Sequence, residues 1–170
     1  MVDLYVMDHD KFSLKDLDDF VRHYRNVKRP LEKLDLCGSI AQKCWKFVRE
    51  HRQPTRTGVT LPYNRRERIF LPGDPPDKAG VYAIFCRPTE WPCFYVGMAT
   101  GSVKGRLRQH LGHDIRINWA GTFGRLSECS RLWVCPAVVS DWREGEANTH
   151  KLKLLETCLT VRLRAWWHDC

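Results

Sequence analysis

The sequence has no stretch that is both long and free of charge. The longest, Trp91 to Val103, holds 13 residues and includes two glycines, well short of the ~20 apolar residues of a helical bilayer span. Its opening, Met1-Val2-Asp3-Leu4, has neither the basic leader nor the apolar run of a secretory signal. These two absences set the expectation of an intracellular protein with no membrane partner: cytoplasmic or nucleoid-associated, or nuclear in a eukaryote. Internal repeats and low-complexity tracts are also missing. With 43% apolar, 28% charged and 11% aromatic residues, wholesale disorder, collagen-like repeats and coiled coil are excluded.

Cysteine is not scarce, but the spacing of a zinc site is. Cys37, Cys44, Cys86, Cys93, Cys129, Cys135, Cys158 and Cys170 contain no Cys-x-x-Cys pair. In a reducing compartment they read as buried thiols. A redox or metal protein built on them is the competing class.

Charge is present in excess of one sign. The net value is +8, and it is unevenly placed. The first 19 residues carry six Asp against two Lys, whereas residues 20 to 79 carry fourteen basic and six acidic side chains. Such an excess attracts polyanions, with nucleic acid first among them, because each neutralised phosphate releases counterions.

Ser13 with Asp16 three residues on marks a helix start, and Leu14, Leu17, Phe20, Val21 and Tyr24 continue it at helical spacing to about Arg25. A second helix follows, with Pro30 suited to its first turn and Ile40, Cys44, Phe47 and Val48 as its apolar stripe. From Gln53 to Lys78 prolines and glycines punctuate the chain, leaving room for one strand near Arg68 to Leu71. This reading makes residues 1–76 a mainly helical accessory region, either a DNA-binding arm or a brace. Trp45, His51 and Arg56 are its candidates for reaching or stacking on bases.

From residue 77 to 170 the signals are denser. Val81 to Cys86 and Cys93 to Val96 read as a hairpin, Ser102 caps a helix with Val103, Leu107 and Leu111 inward, Leu132 to Val139 is a third strand, and Glu144 to Arg164 a last helix. The expected fold is α+β: a small three-stranded antiparallel sheet flanked by helices in the order β-β-α-β-α.

Within this domain a few side chains stand apart. Glu156 falls on the edge of the stripe made by Leu152, Leu155, Leu159 and Leu163, so its carboxylate needs a cation, a metal or a donor network. Arg106 and His110 lie four apart on one flank of their helix, where a guanidinium suits phosphate oxygens and an imidazole can move a proton. Tyr82 and Tyr95 each stand on a strand beside a glycine.

Gly80-Val81-Tyr82, twelve intervening residues, then Tyr95-Val96-Gly97, followed by Arg106, His110 and Glu156, resemble the GIY-YIG nuclease family over about residues 77–170. The resemblance implies a magnesium or manganese ion held by Glu156, with Tyr82, Tyr95, Arg106 and His110 as catalytic side chains. Gly80 and Gly97 match the motif glycines that keep the hairpin close to its neighbours. His168 falls near the place where the family often has a site-closing asparagine, and Met98 stands where the repair branch often has lysine.

The function implied is a metal-dependent endonuclease acting on DNA, restriction-like or of the mobile-element type, working as a monomer or homodimer. Either Tyr82 or His110 is placed to take the proton of the attacking water. A nucleic-acid-binding module that keeps the nuclease fold without cleavage is the alternative.

Overall fold

A computed structural model describes residues 2–7, 10–25, 35–50, 59–61, 75–86, 93–109 and 131–165. Six strands and four helices lie among them: β1 (Val2–Val6), β2 (Asp10–Phe12), α1 (Leu14–Arg25), α2 (Leu36–Glu50), β3 (Val59–Leu61), β4 (Gly80–Cys86), β5 (Cys93–Ala99), α3 (Val103–Arg108), β6 (Arg131–Val139) and α4 (Glu146–Arg162). No helix among the described residues is long and apolar enough to cross a membrane.

The fold is α+β, and the expected hairpin and third strand are present as an antiparallel trio in the order β6-β4-β5. The sheet does not stop at three strands, nor is it wholly antiparallel. Its order is β3-β1-β6-β4-β5, with β1 and β2 both parallel to β6 and β3 antiparallel to β1. The expectation of a three-stranded antiparallel sheet is corrected accordingly: the N-terminal segment, which holds the expected helices α1 and α2, also adds strands to the sheet. The difference lies at β6, which is paired along both edges, with β4 on one and β1 and β2 on the other, while its non-alternating apolar run Leu132 to Val139 fits a strand covered on both faces.

A proline in the middle of such a strand removes a ladder donor. Here Pro136 falls between the two parallel partners, since β1 pairs with Arg131 to Val134 and β2 with Ala137 to Val139. The missing N–H therefore sits where the parallel ladder is already interrupted. Met7 N donates to Val134 O at 2.9 Å and Ser140 N to Phe12 O at 2.8 Å, closing the two ends.

The helices begin as the sequence indicates. Asp16 accepts from Ser13 N at 2.8 Å while Ser13 Oγ accepts from Asp16 N at 3.1 Å, a reciprocal cap for α1. Leu14 N also donates to Asp141 Oδ1 at 2.7 Å, tying the start of α1 to the end of β6. Asp35 caps α2 by accepting from Gly38 N at 2.6 Å. Pro30 and the strand expected at Arg68 to Leu71 lie outside the described residues.

Helices α1, α2 and α4 pack on one another, with α2 reaching β6 and α4 reaching β4 and β5. Leu17, Phe20, Cys37, Ile40 and Cys44 meet Leu152, Leu155 and Leu159 in one core that continues onto Val81, Ala83, Phe85, Trp133 and Cys135 of the sheet. Trp45 belongs to this packing, its ring edge-on to Phe85 at 5.6 Å, so it is a wall of the core rather than a stacking platform for bases. His51 and Arg56 lie outside the described residues.

Removing residues 1–76 is therefore expected to strip β6 of its parallel partners and α4 of its helical cover. The fragment 77–170 should aggregate or bind a hydrophobic dye on purification. A soluble, cooperatively unfolding fragment would mean that the N-terminal region does not brace the sheet.

Candidate functional site

Three elements converge at the free side of β5. The segment before β4 anchors α3: Lys78 O accepts from Val103 N at 2.9 Å and Pro76 O from Lys104 N at 3.1 Å. Ser102 completes the anchor, donating to Asp77 Oδ1 at 2.5 Å and accepting from Gly105 N at 3.0 Å, which is the N-cap expected of it. With Val103 and Leu107 fully buried, the intervening Arg106 turns toward β5. On the other side, Leu152, Leu155 and Leu159 fix the rotation of α4 and bring Glu156 to the same place.

The result is a cleft of about 500 Å³ lined by Tyr95 and Met98 of β5, the turn at Thr100 to Ser102, Arg106 and Gln109, and Lys153 and Glu156 of α4. Of the side chains singled out in the sequence, Tyr95, Arg106 and Glu156 line it together. Tyr82 is close by and both phenols are buried, Tyr82 1% and Tyr95 3% exposed, with their rings 6.1 Å apart. His110 and His168 lie outside the described residues.

Gly80 and Gly97 each leave a space that a side chain would fill. In register, Gly80 pairs with Val138 and Tyr82 with both Gly97 and Pro136. A Cβ at Gly80 would run into the Ala137 carbonyl oxygen. At Gly97 it would lie 2.5 Å from Tyr82 Oη and 2.7 Å from Tyr95 Cε1, so this glycine leaves the space into which both phenols pack.

Glu156 is 7% exposed and has the cationic partner that its position demands: Lys153 Nζ stands 2.5 Å from Glu156 Oε2. Lys153 is the residue that sequence reasoning missed. It precedes Glu156 by three residues, one helical turn, and that spacing was the available signal. Arg106 Nη1 donates to Gln109 Oε1 at 2.9 Å across its own helix, which orients the guanidinium along the cleft wall.

Burial pushes the Tyr82 phenol well above the usual tyrosine range; Tyr95 and Glu156 push the same way, and Arg106 opposes them. These couplings place Tyr95, Arg106 and Glu156 each within electrostatic reach of Tyr82. Burial, the largest of these influences, favours the protonated, hydrogen-bonding form of Tyr82.

For a divalent ion, the chemistry of the donors is the test. Magnesium keeps several waters and takes one or two carboxylates. Glu156 supplies one carboxylate at the wall of a cleft roomy enough for water, and among the described residues no group of three or more His, Cys, Asp or Glu side chains forms an all-protein cage. A hydrated magnesium or manganese ion fits this site; a structural zinc does not.

Compared with protein-family models, with curated proteins and with solved structures, the chain finds no match. The functional reading rests on the geometry of the cleft.

Two outcomes follow from the buried phenol. Gly97→Ala is expected to cost about 1–3 kcal/mol in urea unfolding, because two packed rings must shift. Above pH ~10 an unfolded tyrosine ionises while Tyr82 does not, so its contribution to stability is complete below that value and declines as pH rises further. Buried Cys93 and Cys135, also raised by desolvation, add a similar slope. The Tyr82 share is the difference between wild type and Tyr82→Phe, whose urea midpoint should fall less steeply with alkalinity.

Proposed function

We propose that the protein is a metal-dependent DNA endonuclease of the GIY-YIG type that hydrolyses phosphodiester bonds at the cleft between β5, α3 and α4. The observation that carries this reading is the meeting of Tyr95, Arg106 and Glu156 around one cleft, with Tyr82 packed against Tyr95. A carboxylate, a guanidinium and paired phenols are what phosphate hydrolysis asks for: an anchor for a hard cation, a countercharge for the pentacoordinate phosphorus, and hydroxyls that order water.

Glu156 would hold the magnesium or manganese ion, which when bound polarises the phosphate and eases departure of the leaving oxygen. Arg106, swinging away from Gln109, pairs with the non-bridging oxygens. Tyr95 faces the cleft and orients phosphate or water, while Tyr82, held protonated, supports Tyr95 from below. With Tyr82 in that role, His110 is the remaining sequence candidate for accepting the proton of the attacking water.

Affinity for DNA is supported by the net charge of +8, which draws the chain to phosphate without selecting a sequence. A single cleft cuts one strand, so a double-strand break calls for a homodimer or two successive nicks. A restriction-like or mobile-element enzyme is the biological setting we propose for it.

One observation favours a second reading. The Lys153 ammonium already neutralises Glu156, as it would in a DNA-binding module that has kept the fold and lost catalysis.

Supercoiled plasmid incubated with and without magnesium separates the two. The nuclease yields nicked or linear product only with the metal; the binding module gives salt-sensitive retention and no cleavage with any divalent ion. Glu156→Gln and Arg106→Ala should each lower cleavage by about 10²–10³-fold or more with DNA retention largely kept. Undiminished turnover in either variant removes the role assigned to that residue.

A further inference from the structure

Three ion pairs of this protein tie one element to another. Lys43 of α2 meets Asp10 of β2 at 2.6 Å, Arg162 of α4 meets Asp35 before α2 at 2.9 Å, and Lys151 of α4 pairs with Asp18 of α1. Two more, Asp19 with Arg22 and Lys46 with Glu50, lie on exposed helix faces. The pair at the cleft is of neither kind. Lys153 and Glu156 stand one turn apart on α4, so their contact at 2.5 Å joins nothing that the helix does not already hold together. Its effect is electrostatic: it brings positive charge to a carboxylate taken largely out of water.

The two partners are unequally free to move. The Lys153 side chain is 53% exposed and that of Glu156 9%. Leu152, Leu155 and Leu159 keep the acid's side of α4 turned inward, whereas the lysine can swing its four-carbon stem to solvent. Its departure leaves Glu156 on the cleft wall, beside Tyr95 and Arg106 and open to another cation. As long as Lys153 stays, it meets the carboxylate as an intramolecular partner, and an ion that takes the site must first displace it. A divalent ion is equipped to do so, because it offers the same carboxylate twice the charge.

We propose that Lys153 is the resident cation of the cleft: it occupies Glu156 in the free protein and gives way to a divalent metal ion, so that it sets how tightly the metal is held. The proposal rests on the reading of Glu156 as metal ligand, but not on cleavage. Lys153 acts through Glu156 and is thus a positioning residue. The ion pair that the binding-module reading treats as permanent is here exchangeable. Apparent metal affinity scales with the fraction of carboxylates that are free, so removing the ammonium raises it. A lysine that only supported the fold would, when replaced, loosen the site and weaken metal binding instead.

The test titrates manganese(II) into the full-length chain and follows the free ion by electron paramagnetic resonance, for wild type, Lys153→Met, Lys153→Gln, Glu156→Gln and the double variant Lys153→Met with Glu156→Gln. Both single lysine variants are expected to bind about 10-fold more tightly than wild type. Glu156→Gln should lose binding and the double variant should stay without it, which locates the gain at the carboxylate. Unchanged or weaker binding in the lysine variants, tightening that survives in the double variant, or no binding in any form overturns the proposal. Should both lysine variants misfold, the wild type decides: acetylation of amines followed by peptide mapping should label Lys153 faster with magnesium than without, and equal labelling overturns the proposal. Plasmid cleavage run alongside separates this inference from the nuclease reading. Tightening with no cleavage by any form keeps the exchange and removes the nuclease, whereas cleavage by wild type with no tightening keeps the nuclease and removes the exchange.

Discussion

A carboxylate taken almost wholly out of water is tolerated only when positive charge comes with it. The ion pair between Glu156 and Lys153 meets that condition inside a single helical turn, and the rest of the cleft is arranged around it. The leucines on the adjoining stripe of α4 fix which way the helix faces, so the acid cannot rotate to solvent without exposing them. The same constraint brings Lys153 to the mouth of the cleft, where its stem lies against the helix and its head group meets the acid. Arg106 arrives from the opposite wall through a chain of backbone contacts to residues 76–78. Positive charge thus flanks the acid from two independent elements, a symmetry of charge that favours an anion between them.

The strands below add a second constraint, one of space. The close approach of β4 to β6 at Gly80 and of β4 to β5 at Gly97 brings the phenols of Tyr82 and Tyr95 under the same acid. Neither glycine is needed for a turn. Each is needed because a neighbouring group occupies the volume that a side chain would take.

Much of this was legible from residue order. The reciprocal cap of Ser13 and Asp16, the hairpin, the Ser102 cap and the edge position of Glu156 all depend on local spacing, and local spacing survives folding. The sheet's true width did not show itself, since β2 and β3 are three residues each, too short for a period, and their partners lie far along the chain. The polar character of a tyrosine says nothing of its depth, so the near-complete burial of both Tyr82 and Tyr95 could not be read from residue type. Lys153 was passed over because a lysine on an amphipathic helix ordinarily belongs to its solvated side.

The parallel pairing of β1 and β2 with β6 has a consequence for the order in which the chain acquires its shape. Asp3 lies across from Arg131 and Phe12 across from Val139, so these strands pair with a partner that is made much later along the chain. Pairings of this kind close very large loops and slow the search for the native state. Until then an apolar strand edge stays open on the nascent chain, a period in which chaperone binding competes with misassociation.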